Sequence, residues 1–176
     1  TAAGFSITSP AVNGGGVIGY DPLIGRYFGV IFLDVVAVGL SAMVVVDTRL
    51  PGDPDGYALF ASIFAEFPSL PLGFGFFLSG VGGLLCLNRG MDGEAIAAGL
   101  HDGAIDALLF PENVLEDATF ILGQLDNWFP IAPGSTAIGL AAAIDWGTPE
   151  PIITGELGIV VSLPEGEIAV LGSVSM

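Results

Sequence analysis

Lysine is missing from this 176-residue chain, and arginine occurs only three times, at Arg26, Arg49 and Arg89. Nineteen acidic residues oppose them, which sets the net charge at −16. A chain of this kind repels phosphate backbones and has no basic patch from which to release counterions, so nucleic acid is excluded as a partner. Anionic membrane surfaces are disfavoured on the same ground. A P-loop is excluded because it needs a lysine to reach the phosphates. Gly73-Phe74-Gly75 opens a dinucleotide-like pattern, but Leu78 stands where the third glycine belongs and no helix is expected behind it. Cys86 is the single cysteine, which rules out an intrachain disulfide and a cysteine-based metal site. Its setting, Gly83-Leu84-Leu85-Cys86-Leu87, predicts a buried structural thiol.

Charge of either sign is scarce, at 12% of residues against about 25% in an ordinary soluble domain. Hydrophobic residues make up 52% and mean hydropathy is +0.79. There is too little polar side chain to cover a monomer, so part of the apolar surface is expected to meet a second copy, flanking domains, or a lipid or other hydrophobic ligand. The acidity then supplies solubility to an apolar chain. The chain starts at Thr1 with no basic, apolar leader, and strand-like residues run from Ile168 to Val174. The expectation is a piece of a longer polypeptide.

The organisation read from the residues is α+β and mainly β. It is an antiparallel meander in one domain, residues 1–176, with a two-helix insertion packed on one face. Residues 1–91 form the β-meander, 92–129 the helical insertion and 130–176 further strands. Tyr27–Leu33 and Val35–Val46 are rich in Val, Ile and Phe, and Asp34 interrupts them. Turn formers crowd Pro51-Gly52-Asp53-Pro54-Asp55-Gly56. A strand over Tyr57–Phe67, a turn at Pro68 to Pro71 and a long run over Leu72–Leu87 follow. The uncharged stretch from Pro68 to Asn88 has the length of a membrane helix, but five glycines and a period-two pattern of Phe and Gly point to strands.

The alternation also predicts the two faces of the sheet. In Val35–Val46, Val36, Val38, Leu40, Val44 and Val46 share one side, while Ala37, Gly39, Ser41 and Met43 share the other. In Leu72–Gly80, Leu72, Phe74, Phe76 and Leu78 oppose Gly73, Gly75 and Ser79, with Phe77 as the exception. One face is bulky and the other small, with almost nothing polar on either, so both are expected to be covered or contacted. The helices are expected on one face only, with the other small and apolar, and a small face would let a helix, another sheet or an acyl chain approach closely.

Asp92 caps a helix over Gly93–Leu100, and an apolar stripe through Ile105, Leu108 and Leu109 leads to Phe110-Pro111. A second helix follows from about Glu112 to Trp128, with Leu115, Ala118, Ile121, Leu122, Leu125 and Trp128 at helical spacing. After Pro130 and Pro133, strands resume over Ile138–Asp145, Pro151–Leu163 and Glu167–Val174, separated by Trp146–Pro149 and Pro164–Gly166.

Catalytic chemistry has few candidates. His101 is the only histidine, near Asp102 and Asp106, so any histidine acid–base step must use it. A hydrolase would add Ser41 or Ser79, although Gly39-Leu40-Ser41-Ala42-Met43 misses the nucleophile-elbow pattern. Under that alternative the chain is a small serine hydrolase acting on apolar esters, with Ser41, Ser79, His101 and Asp106 as the candidates. The leading expectation is a non-enzymatic structural or binding module with no cofactor and no metal. Asp53-Pro54-Asp55-Gly56 lacks the further ligands and the bidentate glutamate of a calcium loop and reads as a turn.

Several stretches occur together in a specific order: Val46-Asp47-Thr48-Arg49-Leu50-Pro51, Ala65-Glu66-Phe67, Leu72-Gly73-Phe74-Gly75-Phe76, Gly80 to Arg89, Asp102 to Asp106, Leu108 to Glu112, and Trp146-Gly147-Thr148-Pro149. This series resembles a family of large uncharacterised bacterial proteins with a β-rich domain of unknown function. The resemblance implies that the chain is an internal portion of an extended sheet. It transfers no catalytic residues.

Overall fold

The computed structural model describes residues 1–53, 55–101, 114–147 and 151–176, with side chains at all of these except 100, 101 and 114–117. Nine strands, β1 (Ala2–Thr8), β2 (Val12–Asp21), β3 (Arg26–Val35), β4 (Val38–Asp47), β5 (Ala58–Gly73), β6 (Phe76–Arg89), β7 (Ile131–Trp146), β8 (Ile153–Leu163) and β9 (Ile168–Ser175), form one sheet. Their order in the sheet is their order in the chain, and each pair is antiparallel. Between β6 and β7 lie α1 (Gly93–His101) and α2 (Val114–Trp128). The predicted mainly-β meander with helices inserted in its second half is the fold observed.

Each connection follows from local chemistry. Asp92 accepts the Ala95 N–H at 2.9 Å and so caps α1 as expected. Along α2, Ala118, Ile121, Leu125 and Trp128 recur at three- and four-residue spacing and are buried. They pack on Met43, Val45, Phe60, Leu84 and Cys86 of the sheet, and Phe60 and Phe129 meet with ring centroids 5.8 Å apart. Residues 102–113, which include the stripe at Ile105, Leu108 and Leu109, lie outside the described residues, as do Pro54 and 148–150.

Three strand limits differ from the sequence reading. Pro68 and Pro71 lie inside β5 rather than in a turn. The pairing with β4 stops at Gly39↔Glu66, so beyond Glu66 one side of β5 has no ladder to break and proline is tolerated. The turn comes instead at Gly73-Phe74-Gly75, where all three residues have positive φ, of 101°, 55° and 82°. The Phe/Gly alternation over Leu72–Gly80 therefore runs across a hairpin tip and does not describe one strand. In the same way Val35 and Val46 belong to different strands, joined by a tight turn at Val36-Ala37 with Val36 at φ 59°. Strand β2, with four glycines in ten residues, and the short β1 carry no strong strand signal of their own.

The two faces are also the reverse of what the alternation suggested. The small side, with Gly39, Ser41 and Met43 of β4, is the one on which the helices lie. Phe64 occupies the space this leaves: a Cβ on Gly80 or Gly82 would come within 2.6 or 2.8 Å of its ring. The bulky side, with Leu40, Val44 and Val46, faces outward. Across the whole sheet the helix side is not small: Phe60, Phe64, Met43 and Leu84 fill it together with the glycines, and the helices pack on that mixed surface.

Candidate functional site

Two places in the molecule concentrate chemistry. The first is an ion cluster where α2 meets the sheet. Arg26 opens β3, Asp47 closes β4, Arg89 closes β6 and Asp126 lies on the last turn of α2. Arg26 donates from Nε to Asp47 at 2.6 Å and from Nη2 to Asp126 at 2.7 Å. Arg89 donates from Nη2 to Asp47 and from Nη1 to Asp126, the latter at 3.0 Å, and also to the Phe129 carbonyl at 2.5 Å. Arg89 and Asp47 are fully buried, whereas half of the Asp126 side chain reaches solvent.

A bulge makes this cluster. Regular alternation from Leu87 would send Arg89 to the outer side. The register shift between Leu87 and Arg89, with Asn88 at φ 55°, turns it toward the helices. Asn88 fixes the bulge, donating to the Tyr57 carbonyl and accepting from the Gly134 N–H, both at 2.8 Å.

Burial by itself would lower the Arg26 pKa, but its bonds to Asp47 and Asp126 hold it above its ordinary value. Burial would likewise raise Asp126, and the two guanidinium groups outweigh it and hold the carboxyl below its usual range. The cluster thus sets two guanidinium groups against two carboxyl groups joined by hydrogen bonds, and among the described residues the Arg89 Nε is the buried side-chain atom left without a partner. Such a set fixes a helix on a sheet. It holds no free base or nucleophile.

The second place is the outer face. Where the strands pair in regular register, the pairing assigns each residue to a side. On the outer side, β3 to β9 bring together Tyr27, Gly29, Ile31 and Leu33; Leu40, Ala42, Val44 and Val46; Leu59, Ala61, Ile63 and Ala65; Val81, Gly83, Leu85 and Leu87; Thr136, Ile138, Leu140 and Ala142; Leu157, Ile159 and Val161; and Ile168 and Val170. None is charged. Every charged strand residue, namely Asp21, Arg26, Asp34, Asp47, Glu66, Arg89, Asp145 and Glu156, lies on the helix side. Many outer residues stand open to solvent, Leu140 at 66% and Val170 at 72%.

The catalytic candidates are scattered over separate elements. Ser41 sits on the helix side of β4, opposite Phe32 and Phe64. Ser79 lies at the β6 register shift and donates to the Ala143 carbonyl at 3.4 Å. His101 ends α1, its side chain lies outside the described residues, and so does all of Asp106. Cys86 is buried and its thiol is pushed up to about 12 by that burial, against the opposing charge of Arg89, so it is no nucleophile at neutral pH. In the acidic loop, Asp53 accepts the Asp55 N–H at 3.2 Å, an ordinary turn contact.

A cavity of about 710 Å³ lies between the start of α1 and β9, lined by Met91, Ile96, Pro130 and Leu171 with Asp92, Glu94 and Glu167 among its polar groups. Among the described residues, no helix is long and apolar enough to cross a membrane.

Sequence reasoning missed the ion cluster. Its signal was present: two of only three cations sit at strand ends, each against a long apolar run.

A family model described as a family of unknown function, DUF6603, matches residues 1–176. The chain belongs to that family. No curated protein and no solved structure matches it.

Proposed function

Taking membership of this family as the premise, we propose that the chain is a non-enzymatic structural or binding module whose working surface is the outer face of its sheet. The observation that carries this reading is the partition of charge. A chain at −16 has kept every strand charge off one face and built that face mostly from Val, Ile, Leu, Ala and Gly, with Tyr20, Tyr27 and Thr136 among them. Solvent exerts no pressure toward that arrangement, since an antiparallel sheet wet on one side carries polar residues there. A covering body does. In this reading the chain is a portion of a large bacterial protein, a setting motivated by the ordered stretches from Val46 to Pro149.

The test combines two assays. The purified chain is sedimented at high concentration, and its apolar extract is examined by mass spectrometry. Self-association or a co-purifying hydrophobic molecule is the expected result. A monodisperse monomer carrying nothing overturns the reading. The esterase alternative is met separately with short acyl esters: turnover is expected at background and unchanged in His101→Ala. Turnover lost in His101→Ala would establish the alternative.

A further inference from the structure

We propose that the outer face is covered by a second copy of the same chain, the two sheets packing face to face about a twofold axis. The proposal rests on the module reading above and names the occupant.

Area supports it first. Nine strands about 4.8 Å apart, each seven or more residues long at about 3.4 Å per residue, present a face on the order of 1,000 Å². A stable dimer needs about 800 Å² per partner. The face is large enough with no contribution from loops.

Side-chain shape points the same way. Val and Ile are stiff at χ1 and stand off a pleated surface in rows, which suits interdigitation with a second sheet about 10 Å away. Tyr20 and Tyr27 are already ordered on this face, stacked across strands with centroids 4.3 Å apart.

Electrostatics separates a second copy from a phospholipid. Headgroup phosphates call for basic residues at the rim, and none is at liberty. Arg26 and Arg89 are consumed in the ion cluster, and Arg49 donates to the carbonyls of Leu23 and Pro22 at 2.9 and 3.2 Å. Two copies at −16 repel, but their strand charges point to the far sides of the paired sheets. The repulsion that remains across the pair is screened by salt. Added salt therefore strengthens this dimer, whereas it would weaken one held by ion pairs.

Sedimentation equilibrium on the full chain tests the proposal, with two variants and a salt series. Leu140→Asp and Gly29→Glu each place a carboxylate on the outer face. Gly29 is the safer for folding, since a Cβ there meets no atom within 4 Å and its φ is ordinary. The expected result is a dimer whose dissociation constant falls as salt rises from about 0.05 to about 0.5 M and rises at least about 100-fold in each folded variant.

Folded Gly29→Glu and Leu140→Asp chains that assemble like the parent would overturn the proposal in favour of pairing through an open sheet edge. A monomer with a lipid or another molecule on the face overturns the proposal and leaves the module reading standing. A bare monomer overturns both.

Discussion

The two sides of this sheet are made from the same strands but obey different rules. The helix side mixes glycine, phenylalanine and every strand charge, and it is closed by α2 over Phe60, Leu84 and Cys86. The outer side is uniform, uncharged and open in the single chain. The lesson lies in where the ions went. Burying Arg26, Asp47 and Arg89 costs desolvation, and the fold bears that cost on the side it covers itself. On the side it leaves open, where a charge would be cheap to solvate, it places none. That inversion is unexpected for a face destined for water and expected for one destined for contact.

The largest expected effects break the helix side. Phe60→Ala empties a fully buried ring site against Phe129 and is expected to cost about 3–5 kcal/mol in denaturant unfolding. Arg89→Ala leaves the Asp47 carboxylate buried with one partner fewer and is expected to cost about 3–5 kcal/mol. Leu140→Ala on the outer side, measured where the chain is monomeric, is expected to cost less than about 1 kcal/mol. Equal costs for Leu140 and Phe60 would mean that the chain covers both faces by itself.

A smaller effect sharpens the comparison. Asp126 is the one member of the ion cluster half open to solvent, so screening discounts its pairs with Arg26 and Arg89. Asp126→Asn is expected to cost about 1 kcal/mol at pH 7, well below Arg89→Ala, by urea titration.

The smallest effect is a pH dependence of that same difference. The Asp126 carboxyl is held below its usual range in the folded chain, so its contribution is fully present above the unfolded value of about 3.9. It is lost as pH falls through the folded value. The stability gap between the parent chain and Asp126→Asn is therefore expected to stay constant from pH 7 to about 5 and to shrink below about 4. A gap that grows on acidification would refute the assigned ionisation.

Much of the architecture was legible in the residues, because period-two alternation and the Pro/Gly/Asp loops are local signals. The cap at Asp92 and the α2 stripe through Ile121 and Leu125 were legible for the same reason. What failed was of two kinds. The tips at Val36 and Phe74 place strand-forming residues at positive φ, 90% and 99% exposed, so their composition disguises the turns. The bulge at Asn88 depends on distant partners, the Tyr57 carbonyl and the Gly134 N–H, and without it Arg89 reads as an outward charge. The uncharged outer face was half visible in β4. Its extent needed the register of all nine strands, which no single segment encodes.

Covalent footprinting with a small aliphatic-reactive carbene tests the central claim most directly, because it reads coverage of the face whatever covers it. Leu23 in the β2–β3 turn and Leu140 on the outer face are 85% and 66% exposed in the isolated chain. In the native sample Leu23 is expected to be labelled freely, while Leu140, Ile159 and Val170 are protected several-fold below their isolated-chain exposure. Labelling of Leu140 in proportion to that exposure, on a par with Leu23, would contradict the claim.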